Sequence, residues 1–283
     1  MRMSKPIFRG IWRAGMLAAW LAGSAAHADL GILLEVEHTT FLRLETVLVF
    51  VTVTNRSPDV LVLDQKESPG RARLDFDVRR IGQGAVKRIR RSPLERPLEL
   101  QPGEGRRLLV ELDHAFDMSA TGDYIIEAYV IREDLRYGTK PRSISVVRGI
   151  PLDSVSQSVP GQPGLVRNMS LSYLAREQHE TLFLSVDEPR SGLNYGVFAL
   201  GPLVRIFRPV LESPGDGRIV VVHQSGPRQY MRSILQSTPG SVRMVDQSYE
   251  SVKGHISTSG DWVEPMAKPT PAPVKDRQPA SNR

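Results

Sequence analysis

The chain has 283 residues, 24% of them charged, a formal net charge of +6 and no cysteine. The missing thiols exclude disulfides, thiolate metal sites, thiol catalysis and a lipid-bearing cysteine. The length is enough for one or two hydrophobic cores without such staples.

The first 28 residues stand apart from the rest. Arg2, Lys5, Arg9 and Arg13 precede an apolar run from Met16 to Leu21 and a small-residue stretch ending Ala26-His27-Ala28, with no acidic residue before Asp29. A basic start, a short apolar core and an A-x-A end are the parts of a secretory signal peptide. The run falls short of the ~20 residues that span a bilayer. The sequence therefore predicts export to the periplasm or beyond, with a mature chain beginning at Asp29. The leader carries four of the six excess positive charges, and the tail from Val263 carries the other two, so the body between them is neutral. A neutral body argues against a general nucleic-acid surface. No run of membrane-spanning length follows Ala28, so no transmembrane segment is expected after cleavage.

Strand signals then follow in order. Ile32 to Glu37 comes first, and Val47 to Thr54 is β-branched and aromatic with valines at every second position. The turn cluster Asn55-Arg56-Ser57-Pro58-Asp59 precedes Val60 to Leu63. Further strands are expected at 73–80, 107–112, 124–131 and 143–147. Leu100-Gln101-Pro102-Gly103-Glu104 places Pro and Gly at the centre of a type II turn. Tyr124, at the head of its strand, stands where a tyrosine corner bonds back to upstream backbone. Regular short strands without an amphipathic helix predict an all-β chain, with an antiparallel β-sandwich over residues 29–150.

The series Val49 to Ser57, Leu100 to Glu104 and Gly122-Asp123-Tyr124-Ile125-Ile126-Glu127-Ala128 resembles a bacterial immunoglobulin-like domain. The same order occurs in BsuPI-type proteinase-inhibitor and macroglobulin-like modules. The resemblance covers about half of the mature chain and implies the sandwich. It leaves function open, because such modules bind, space or inhibit.

Residues 151–164, with three prolines and two glycines, read as a linker. A second strand-rich block is expected over 165–262, with strands at 168–174, 181–186, 195–200, 203–208, 218–223, 229–235 and 241–245. Pro214-Gly215-Asp216-Gly217 marks a hairpin. Residues 218–245 loosely resemble one propeller blade, but no blade-length repeat supports a closed propeller, so a second sandwich or meander is expected. The proline-rich stretch 263–283 reads as a disordered, polyproline-II-prone tail.

Chemistry-bearing patterns are sparse. His38, His114, His179, His223 and His255 include no pair at zinc-helix spacing, and no metal or cofactor motif is present. His223-Gln224-Ser225-Gly226-Pro227 lacks the G-x-S-x-G elbow. Asp75 and Asp77 alternate with Phe76 and Val78, which places them on a strand's solvent face. Asp113 and Asp117 suit a loop. The one concentration of charge is Lys87-Arg88-Ile89-Arg90-Arg91, where Lys87, Arg88, Arg90 and Arg91 form a candidate surface for an anionic partner, or an edge guarded against strand pairing. The expected function is binding or scaffolding outside the cytoplasm, toward a protein or glycan partner, without catalysis. The alternative is an accessory or inhibitory module for an exported hydrolase such as a protease.

Overall fold

The computed structural model describes residues 29–64, 70–90, 94, 96–162, 164–177 and 179–251. The leader, the proline-rich tail and Arg91 lie outside these residues. The described chain is nearly all strand in several mostly antiparallel sheets, and none of its helices is long and apolar enough to cross a membrane.

Eleven strands form the first half: β1 (Leu30–Val36), β2 (Thr40–Leu42), β3 (Leu48–Asn55), β4 (Leu61–Leu63), β5 (Ala72–Arg80), β6 (Gly84–Ala85), β7 (Leu98–Leu100), β8 (Gly105–Glu111), β9 (Gly122–Arg132), β10 (Leu135–Gly138) and β11 (Arg142–Val147). One sheet runs β1-β3-β8. The other runs β2-β11-β9-β5-β4-β7, with β10 on β9 and β6 on β5. The alternating valines of β3, Val49, Val51 and Val53, bury fully against Leu74, Phe76, Ile126 and Ala128 of the opposing sheet. Period-two patterning thus sets which face of each strand is dry.

Two expected devices fasten the ends of this sandwich. Gly103 has φ 78° and Glu104 N–H donates to Gln101 O at 2.9 Å, the bond of a type II turn. Tyr124 hydroxyl donates to Ala120 O at 2.5 Å, as in a tyrosine corner. Against the 100–104 turn sits Asn55, fully buried. Its Nδ2 donates to Asp59 O (2.8 Å) and Leu100 O (3.0 Å), and its Oδ1 accepts from Ser57 N–H and Ser57 hydroxyl. The turn at 55–59 and the turn at 100–104 are therefore one hydrogen-bonded unit.

The second half has eight strands: β12 (Ile150–Ser158), β13 (Val166–Arg176), β14 (His179–Glu188), β15 (Leu193–Leu203), β16 (Val210–Glu212), β17 (Arg218–Gly226), β18 (Gln229–Thr238) and β19 (Ser241–Ser251). They form two four-stranded antiparallel meanders, β12 to β15 and β16 to β19. Leu171, Leu182, Leu184 and Val186 of the first meet Ile219, Val221 and Leu235 of the second in a common core. The blade-like stretch 218–245 thus packs face to face on one partner sheet. The fully buried Arg167 closes one end. Its Nη atoms donate to Ser237 Oγ, Thr238 O and Pro239 O at 2.6–2.9 Å, and its guanidinium lies 3.7 Å from the Tyr195 ring centroid.

Two expectations change here. Residues 150–158, read as part of a linker, are edge strand β12. Pro151 fits because a register shift between Pro151 and Asp153 interrupts the ladder there, and edge strands tolerate a missing N–H. The actual connection between the halves is only Arg148-Gly149. Residues 203–208, read as a strand, instead leave the sheet after Leu203. Pairing with β14 skips Leu200 at a bulge, continues through Gly201 (φ 105°) and Pro202, and ends at Leu203, where the chain crosses to the next sheet.

The halves are locked by a buried joint. Phe183 on β14 is fully buried although its neighbours Leu182 and Leu184 point to the core, so it faces outward against the first half. Arg176 lies over both Phe183 (4.8 Å) and Phe41 (5.7 Å) and pairs with Glu45. Leu44 takes a left-handed backbone (φ 66°), which lets Glu45 turn back and accept from Leu42 N–H at 2.7 Å. A Cβ on Gly149 would lie 2.8 Å from both Leu42 Cδ1 and Ser172 Oγ, so a larger residue there would require those side chains to move. Burial pushes the Glu45 carboxyl upward, against the lowering effect of Arg176.

Two substitutions test these fasteners. Asn55→Ala should cost about 2 kcal/mol in chemical denaturation by stranding the buried Leu100 carbonyl, and Asn55→Asp should also destabilise because a carboxylate cannot donate to it. Arg176→Ala should cost about 3 kcal/mol at neutral pH by leaving Glu45 buried and unpaired. That loss should shrink in acid, where Glu45 takes up a proton.

Candidate functional site

The expected basic surface is only partly a surface. Lys87 and Arg90 are exposed. Arg88 is turned inward: its Nη2 donates to Asp75 Oδ1 at 2.6 Å and Phe76 O at 3.1 Å, and its guanidinium lies 4.7 Å from the Phe116 ring centroid. Asp75, expected on a solvent face, is buried for the same reason, because the 86–90 segment folds over that side of β5 and Arg88 covers the carboxylate. Asp77 stays at the surface, 3.6 Å from Arg79. Asp113 accepts from Val47 N–H (3.0 Å) and Asp117 from Ser119 hydroxyl (2.6 Å), so both serve local backbone and turn geometry. Among the described residues no group of three or more His, Asp or Glu is placed to hold a metal ion.

A concave feature lies elsewhere, on the outer face of the β16–β19 sheet. It is a groove of about 500 Å³. The register explains its composition. Val210 of β16 faces Val222 of β17 and Arg232 of β18, while Glu212 faces Val220 and Ile234. At the far end Gln224 faces Tyr230, which faces Glu250 of β19. Every second residue of each strand reaches this face, so the apolar floor of Val210, Val220 and Val222 is flanked by Arg232, Glu212 and Glu250.

A loop makes the face concave. After β15 the chain crosses over residues 204–209, tied down by Val204 N–H donating to Gln224 O at 2.8 Å. Phe207 then packs against Tyr230, ring centroids 6.4 Å apart. Arg208 on the same loop is held loosely, 3.5 Å from Asp153 and largely exposed. Arg232 forms no ion pair among the described residues. The result is a slot with a valine floor, an aromatic end wall, and both arginines (Arg208, Arg232) and glutamates (Glu212, Glu250) at its sides.

Two buried polar residues support the aromatic end. Gln224 Nε2 donates to Gly226 O and Pro227 O, which sets the β17–β18 turn, and its buried Oε1 has no partner among the described residues. His223 points to the opposite, inner side. Its Nε2 lies 3.1 Å from Pro202 O, which can only accept, so the imidazole carries its proton there. Burial pulls its pKa down to about 4, against the opposing effect of that bond. The other nitrogen, Nδ1, is enclosed and cannot reach a substrate, so His223 is a strut and not a general base. A second cleft, about 320 Å³, lies at the joint between the halves, where Arg43 and Arg148 approach Ser172, Ser185, Asp187 and Asn194; burial raises the Asp187 carboxyl.

No motif marks the groove in the sequence. The alternation of β17 shows that Val220 and Val222 share a face, but not that a crossing loop makes that face concave.

His223 gives a pH test. Between pH 6.5 and about 4 the unfolded chain protonates this imidazole and the folded chain does not. Stability should therefore be complete above pH 6.5 and fall by about 3 kcal/mol as pH drops to 4. His223→Gln should remove most of that slope in denaturation curves measured at several pH values. No known family model matches this chain, and no curated protein sequence matches it.

Proposed function

We propose that the protein is an exported, non-catalytic binding protein whose ligand is an extended segment of another envelope or extracellular protein. The groove on the β16–β19 sheet carries this reading. Its apolar floor suits one large apolar or aromatic side chain, its aromatic wall gives that side chain a flat partner, and Arg232 and Arg208 suit acidic residues beside it. A valine floor favours a protein segment over a glycan, which would need a denser set of polar groups. The basic, apolar and A-x-A parts of residues 1–28 support export. The rigid joint at Arg176 supports a scaffolding role, since a two-residue connection and a buried ion pair fix the groove relative to the first sandwich.

Site-specific photo-crosslinking tests the reading. A crosslinker at position 222, introduced in the native host, should yield a discrete adduct with an envelope or extracellular protein, while one at Leu33, exposed on the first half, should not yield that adduct. The same pattern from both positions, or no adduct from 222, overturns the assignment. N-terminal sequencing of the exported protein should start at Asp29.

A further inference from the structure

The groove opens beside the strand from which the C-terminal tail departs. Glu250 lines it, β19 ends at Ser251, and Trp262 follows eleven residues later. Trp262 is the only tryptophan after the leader and the only aromatic residue beyond Tyr249 other than His255. It sits in Asp261-Trp262-Val263-Glu264, an aromatic and apolar pair between two carboxylates.

We propose that this segment of the chain's own tail occupies the groove, with Trp262 on the floor of Val210, Val220 and Val222 against Tyr230, and Asp261 and Glu264 directed to Arg232 and Arg208. The inference rests on the groove being a binding site and adds its regulation: the tail is a tethered competitor that an external partner must displace.

Three observations support it. Reach is sufficient, because eleven residues extend up to ~36 Å, whereas the β18 residues lining the groove, Tyr230 and Arg232, lie two positions or ~7 Å apart. No proline lies between Ser251 and Trp262 to forbid a reversal over the sheet; the first is Pro265. Charge favours one side of the groove: Arg232 has no ion pair among the described residues, so the carboxylates beside Trp262 suit the Arg232 and Arg208 side and not the side of Glu212 and Glu250. Tethering adds an effective concentration of roughly millimolar, so a weak contact suffices to hold the segment down.

Removal of the leader leaves Trp262 as the sole tryptophan, so its fluorescence reports the contact directly. In the mature chain from Asp29 to Arg283, Trp262 emission should lie well to the blue of the urea-unfolded value, resist acrylamide quenching and stay unchanged on dilution. Val222→Arg and, separately, Arg232→Glu should move emission toward the unfolded value. Far-UV circular dichroism melting should show that each variant is still folded, and the surface charge change at Arg232 is the safeguard if Val222→Arg fails to fold. Asp261→Lys with Glu264→Lys should release the segment, and adding Arg232→Glu to that pair should partly restore the blue emission. Emission that matches the unfolded chain, or is indifferent to both groove variants, overturns the proposal. A blue shift that fades on dilution also overturns it, in favour of a second copy's tail.

The crosslinking experiment separates this inference from the reading beneath it. Trp262→Ala should raise the intermolecular adduct from position 222 several-fold. An adduct that forms equally with and without Trp262, alongside solvent-like emission, removes the tail and leaves the groove as a partner site. A docked Trp262 with no intermolecular adduct removes the external partner and leaves a purely structural contact.

Discussion

Carbonyls at chain reversals must find donors once the ends of a sandwich close over them, and in this cysteine-free chain buried side chains supply those donors. Asn55 serves Asp59 and Leu100, Tyr124 serves Ala120, Arg167 serves Thr238 and Pro239, and His223 serves Pro202. Each is a polar group that would be expensive to bury alone, and each becomes stabilising because it meets a backbone carbonyl. A disulfide ties a loop by restricting the unfolded chain; these contacts tie it by making any other arrangement leave buried groups unsatisfied. Arg167 is the extreme case. It carries its charge into the interior with no carboxylate ion pair among the described residues, balanced by two carbonyls, a hydroxyl and the face of Tyr195.

The same logic joins the two sandwiches. Phe183 would be an exposed aromatic on the outside of a sheet if the first half were absent. Arg176 covers it, reaches Phe41 and is neutralised by Glu45. Leu44 in a left-handed conformation and Gly149 packed against the Leu42 and Ser172 side chains show how closely the halves approach. Because the joint uses the outer face of the β12–β15 sheet, the outer face of the β16–β19 sheet remains open on the other side of the core. The groove is therefore a consequence of which sheet was used for docking and of where the 204–209 loop crosses.

The fold was legible to the extent that it depends on period-two patterning and turn chemistry. The β3 valines, the Pro102-Gly103 turn and Tyr124 all lie where the sequence places them, because local residue type decides each. The short strands β2, β6, β7 and β10 were missed, since two to four residues carry too little pattern. Edge strand β12 was hidden by its prolines and serines, which an edge tolerates. Asp75 shows the limit from another direction: alternation assigned its face correctly, but Arg88, thirteen residues on, turned that face into an interior. Of the basic cluster, exposed Lys87 and Arg90 fit a surface role and Arg88 does not.

By itself, then, the sequence determined the all-β class, the face each long strand buries and the residues of the principal turns, because each follows from neighbours a few positions apart. The tertiary structure alone decided that 151–158 belongs to a sheet, that Arg176 and Glu45 meet across 131 residues, and that Val210, Val222, Tyr230 and Arg232 share one groove. Those outcomes depend on sheet order and on a loop crossing, which bring together residues whose separation along the chain carries no local signature.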